Sequence, residues 1–83
     1  MSTISLFDLF PDEPGIVKKL KPADTDTPQA RTLRRLMDLG LIEGTPVTCV
    51  GVSVFGSPKA YCIRGAVLAL RREEASLIEV EIQ

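Results

Sequence analysis

At 83 residues, with nearly half of its side chains apolar and a formal charge of −1, the chain can build one small core, expected as a single domain over residues 1–83. The near-zero charge argues against a dedicated nucleic-acid binder, whose affinity comes from neutralising phosphates. No apolar run is long enough to span a bilayer, and the absence of histidine removes the commonest metal ligand and general base.

Met1-Ser2-Thr3 lacks the basic start and long apolar core of a signal peptide, so a cytoplasmic protein is expected. Ser5 suits the N-cap of a short helical turn with Asp8 three residues on. Pro11 stops that turn, leaving Leu6, Leu9 and Phe10 to plug one end of a core. After a turn over 11–15, residues 16–21 read as a first strand with Ile16 and Leu20 on one face. Lysines 18, 19 and 21 suggest a solvated or edge position for it.

Residues 22–27 form a polar loop. Thr27 suits an N-cap and Pro28 the first helical position, where its missing N–H has no partner to lose. Ala30, Leu33, Leu36 and Met37 then recur at helical spacing, with Arg31, Arg34 and Arg35 on the other side and Asp38 one turn after Arg34. Gly40 stands where a helix end needs a left-handed residue, a conformation cheap only for glycine. Leu41 and Ile42 are expected to fold back over the helix, and Glu43-Gly44 to turn the chain into the next strand.

In residues 46–54 the apolar positions begin as Val47 and Cys49 and then slip to Val50, Val52 and Val54. One residue of slip predicts a bulge, for which Gly51 is at hand. Residues 55–59, with Gly56 and Pro58, read as an exposed loop. Tyr61 and Ile63 alternate in a following strand, Arg64-Gly65 makes a two-residue hairpin turn, and Leu68 and Leu70 lie on the return strand. Residues 71–76 form a charged helical turn with Ala75 inward and Glu73-Glu74 solvated. Ile78, Val80 and Ile82 alternate with Glu79 and Glu81 in the clearest strand of the chain.

Cys49 and Cys62 are the only cysteines, and two thiolates make half of a structural zinc site. A hairpin centred near Phe55-Gly56 would set them face to face, where a disulfide is sterically conceivable. Buried reduced thiols are the reading that fits a reducing cytoplasm. The expected architecture is mainly β: a small five-stranded SH3-like barrel with one helix inserted between its first and second strands.

Four stretches together resemble the FeoA family of small cytoplasmic accessory proteins in bacterial ferrous iron uptake. They are Ser5-Leu6-Phe7-Asp8-Leu9; Leu33-Arg34-Arg35-Leu36-Met37-Asp38-Leu39-Gly40-Leu41-Ile42-Glu43-Gly44; Ile63-Arg64-Gly65; and Leu68-Ala69-Leu70-Arg71 with Glu74-Ala75. The resemblance covers almost the whole chain and implies an SH3-like barrel without obvious metal ligands or cofactor. It also implies a partner, the FeoB transporter, whose cytoplasmic G-domain hydrolyses GTP and whose membrane domain moves ferrous iron. The family usually has a glycine soon after the leucine that ends the first turn; this chain reads Pro11-Asp12-Glu13-Pro14-Gly15 there.

Two features are candidates for contacting that partner. Arg31, Arg34 and Arg35 form a basic helix face suited to pairing and stacking at an interface, although many such faces are simply solvated. The loop with Phe55 and Pro58 offers an aromatic anchor, or equally a lid folded back on the core. One surface arginine does not make a GTPase arginine finger. An enzyme is set aside because no nucleophile–base pair, phosphate loop or metal cluster is present. The alternatives are a generic SH3-like module for RNA or ribosomal protein, and a barrel related to those of iron-dependent repressors.

Overall fold

The computed structural model describes residues 2–21 and 27–82; of the polar loop expected over 22–27, residues 22–26 lie outside them. The chain runs β1 (Ser2–Ser5), a 3-10 turn (Leu6–Asp8), β2 (Pro14–Leu20), α1 (Pro28–Asp38), β3 (Pro46–Val52), β4 (Lys59–Ile63), β5 (Ala66–Leu70), α2 (Arg72–Ala75) and β6 (Ile78–Ile82). No helix among the described residues is long and apolar enough to cross a membrane.

The expected closed barrel of five strands is corrected to one antiparallel sheet of six, in the order β1-β6-β2-β3-β4-β5. The added strand is β1, too short to show a period in the sequence, whose Ser2 to Ser5 pair in register with Ile82 to Glu79. The main helix therefore follows the second strand. The sheet is bent rather than closed: β2 pairs with β3 from Pro14 to Ile16 and with β6 from Ile16 to Leu20. The register shifts between Val17 and Lys19, and again between Cys49 and Gly51. Each shift adds local twist, and β1 and β5 remain as unpaired edges.

The first shift also overturns the expected phase of β2. Val17 is buried and Ile16 exposed, because the face that meets the core is set by pairing with β6 rather than by the Ile16-Leu20 spacing. Its lysines mark a solvated face and no edge, since β2 has a neighbour on both sides. The second shift is the predicted bulge, and Val50 and Val52 beyond it are exposed.

The helix end follows the expected backbone chemistry. Gly40 lies at φ 109°, its N–H donates to Met37 O at 3.0 Å, and Leu41 N–H donates to Leu36 O at 3.0 Å. These are the two bonds of a Schellman ending, and Leu36 and Leu41 are both fully buried across it. Gly44 N–H then reaches Val17 O at 2.8 Å and Val17 N–H reaches Thr45 O at 2.9 Å, so the corner is sewn to β2. Met37 and Ile42, expected inside, are exposed; the buried stripe of α1 is the narrower Ala30, Leu33 and Leu36.

Leu6 and Leu9 plug the core as expected, but Phe10 is 72% exposed. Its N–H donates instead to the Glu13 carboxylate, and the following turn passes through Asp12 at φ 68°. Aspartate is among the few residues that tolerate this region, which explains how the segment turns without the family's glycine. Tyr61 is fully buried and its hydroxyl donates to Leu6 O at 3.3 Å. Burial, aided by nearby Cys49 and Asp8, pushes the phenol well above its ordinary range, so it stays a donor.

Candidate docking surfaces

The arginines of α1 owe their position to the helix period. With Ala30, Leu33 and Leu36 committed to the core, Arg31, Arg34 and Arg35 fall on the exposed side. The structure does not leave them equivalent. Arg35 is paired with Glu74 of α2, a contact across distant parts of the chain. Arg34 is exposed one turn before Asp38, and the Arg35–Glu74 pair ties this helix to a distant part of the chain.

Glu74 is accordingly not the solvated carboxylate of the sequence reading. Its side chain is 20% exposed, and one oxygen accepts from Arg71 N–H at 2.9 Å while the other accepts from Arg35. Glu74 N–H donates to Arg71 O at 3.0 Å, completing a reciprocal clasp at the start of α2. One carboxylate thus starts α2 and ties it to α1.

The loop between β3 and β4 presents Phe55 outward, and no part of it folds back as a lid. Val54 is 93% and Phe55 92% exposed. The tip is nevertheless held by Ser53, whose N–H donates to Pro58 O at 3.1 Å and whose hydroxyl donates to Ser57 O at 2.8 Å. Ser53 also accepts, from Phe55 N–H at its hydroxyl and from Gly56 N–H at its carbonyl. Gly56, at φ 85°, closes the turn. Pro58 is exposed at its base.

The two candidates come from distant parts of the sequence, yet both meet α2. Arg35 reaches it through Glu74, and the loop reaches it through Ser57, whose hydroxyl accepts from Arg72 N–H at 3.3 Å. Beyond Arg72 lies a feature the sequence did not disclose. Phe7 is half-buried, with the Arg72 guanidinium 4.9 Å and the Lys59 ammonium 4.6 Å from its ring centre. Lys59 also donates to the carbonyls of Phe7 and Leu9 at 2.6 and 3.1 Å, closing the end of the 3-10 turn. The only hint in the sequence is a lysine at the start of an otherwise apolar strand.

The cysteines do not face each other. Cys49 pairs with Tyr61 and Cys62 with Thr48, so their side chains lie on opposite faces of the sheet, Cys49 buried and Cys62 half-buried. The cause is the bulge itself: its extra residue moves the β3–β4 register by one, and one residue of shift exchanges faces. Both thiols are free.

A family model for the FeoA domain matches residues 4–82. Among solved structures, the chain is similar to a FeoA-like protein from Clostridium acetobutylicum, with 29% identity, 99% of this chain and 88% of that one covered, and a TM-score of 0.81. It is also similar to FeoA from Stenotrophomonas maltophilia solved with zinc, with 25% identity, 94% and 89% covered, and a TM-score of 0.78. That protein is described as a procaryotic SH3 domain protein and a candidate ferrous iron transport activating factor. A manganese-dependent transcriptional repressor matches at 18% identity over 98% of this chain and 42% of its own, with a TM-score of 0.81, which shows the fold alone. Among curated proteins, none matches. No three of His, Cys, Asp and Glu gather into a metal-holding group among the described residues.

Proposed function

The chain belongs to the FeoA family, and on that premise we propose that it acts in the cytoplasm as an accessory protein of bacterial ferrous iron uptake, docking on the cytoplasmic part of the FeoB GTPase-transporter. An accessory rather than enzymatic role fits the description of the Stenotrophomonas relative as an SH3 domain protein. The description of the Stenotrophomonas relative supports the transport role.

The observation that carries the docking reading is the Val54-Phe55 tip. A large apolar side chain held outward by a hydrogen-bonded turn is already in a bound-like shape, so little ordering opposes its burial in a partner. Arg34 and Arg31 add charge that steers the encounter and sets orientation. Arg35 contributes from within its pair with Glu74, and Pro58 stiffens the base of the loop.

The test is calorimetric titration into the detergent-solubilised transporter of the same organism, with a GTP analogue, with GDP and without nucleotide. Phe55→Ala is expected to weaken binding by about tenfold or more, the effect of removing an aromatic anchor. Arg31→Glu with Arg34→Glu, leaving the Arg35 pair intact, is expected to weaken it less and to flatten its salt dependence. Affinity that changes with nucleotide would make the protein a regulator of the GTPase cycle; affinity that ignores nucleotide would make it a scaffold. Undiminished binding by folded Phe55→Ala protein would place the interface elsewhere.

A further inference from the structure

The Arg64-Gly65 turn has both residues at positive φ, 52° and 83°, the signature of a two-residue type I′ hairpin. Such a turn is closed by a pair that exchanges both backbone hydrogen bonds, here Ile63 and Ala66. Bonded and non-bonded pairs then alternate along β4 and β5. Tyr61–Leu68 and Lys59–Leu70 are bonded, whereas Cys62–Val67 and Ala60–Ala69 are not. The N–H and C=O groups of Val67 and Ala69 therefore point away from β4, along the unpaired edge of the sheet.

This edge lacks the usual protection. The strand reads Ala66-Val67-Leu68-Ala69-Leu70, with no charge, proline or bulge to discourage pairing. Val67 is 63% exposed and Ala66 and Ala69 are exposed beside it. Charge appears only at the two ends, where Arg64 precedes the strand and Arg71 and Arg72 follow it, all three exposed.

We propose that the β5 edge is a strand-addition site, which takes an extended segment of a partner protein, apolar or β-branched at its centre and acidic at both ends, as a seventh strand bonded to Val67 and Ala69. Main-chain bonds would supply affinity, and the bracketing arginines the selection of acidic flanks. The same arginines disfavour a second copy of this chain. Antiparallel self-pairing that uses every free amide sets Val67 against Ala69 and so brings the Arg64 end of each copy toward the Arg71-Arg72 end of the other, like charge toward like charge. The site's bonding groups lie on β5, apart from Phe55 and the α1 arginines, and it meets those surfaces through Arg71 and Arg72 at the start of α2; it stands whether or not FeoB is the partner.

The probe is a synthetic peptide of alternating valine and threonine with glutamates at both ends, compared with its lysine-ended counterpart and followed by amide exchange in the full chain. Binding of the glutamate-ended peptide, with slowed exchange at Val67 and Ala69, is expected, and the lysine-ended peptide should bind about tenfold or more weakly. Ala69→Pro removes an outward N–H without breaking a β4 bond and should abolish binding while the protein stays folded. Arg64→Glu with Arg71→Glu, which leaves the backbone untouched, should reverse the peptide preference. Absence of binding by either peptide, binding without protection of Val67 and Ala69, or an unchanged preference in the charge-reversed protein would overturn the proposal. Concentration-dependent self-association that Ala69→Pro removes would also overturn it, in favour of a second copy.

Discussion

The corner from Gly40 to Gly44 and the loop from Ser53 to Pro58 are built from the same parts and put to opposite uses. Each joins two elements through left-handed glycines and a net of main-chain bonds. At the corner the enclosed leucine, Leu41, is fully buried, and a Cβ on Gly40 would meet Arg64 Cδ at 3.4 Å. In the loop Val54 and Phe55 are almost fully exposed, and a Cβ on Gly56 would meet nothing within 4 Å. Rigid backbone is thus separable from buried side chains. Where the two coincide the segment serves stability; where rigidity stands alone, it presents a surface.

The sharpest test of this contrast is Leu41→Ala, expected to destabilise by about 3 kcal/mol through lost burial and a residual cavity, read by chemical denaturation. Gly40→Val should follow at about 2 kcal/mol, because a β-branched residue resists positive φ and Arg64 and Ile63 crowd it. Gly56→Ala meets the same conformational penalty without crowding, and about 1 kcal/mol is expected; equal losses at Gly40 and Gly56 would break the comparison. Thr45→Val should raise stability by about 0.5 kcal/mol, since the Thr45 hydroxyl is buried beside the corner without a protein partner. Phe55→Ala should leave the melting temperature nearly unchanged, and a large drop would show that the tip supports the fold after all.

The corner was legible in its backbone and in Leu41, though not in Ile42, because a glycine after a helical stripe, followed by apolar residues, has one common structural solution. β6 was legible through its alternation, and the β3 bulge through a one-residue slip in the apolar pattern. What escaped was what depends on the neighbour rather than the strand. The phase of β2 is set by its bulge against β6, and β1 exists only because β6 offers it a partner. The cysteines face opposite ways because the bulge, legible in the apolar slip, also moves the β3–β4 register by one residue beyond it. At the candidate surfaces, the exposure of Arg34 followed from the helix period, whereas the sequence left Phe55 equally an anchor or a lid, and the hydrogen bonds that hold the tip outward decide it. The Arg35–Glu74 pair and the placement of Lys59 on two carbonyls join residues far apart in sequence, and no local pattern announces them.

The separation of the two thiols onto opposite faces gives the protein a built-in spectroscopic address. Cys49, enclosed in the core, is shielded from a thiol-reactive dye that Cys62 can meet from the outer face. Cys62 lies directly across from Val67 of β5 in the ladder. A fluorophore attached there, with no residue changed, would sit one strand from the open edge and report by its emission whether anything comes to rest against it.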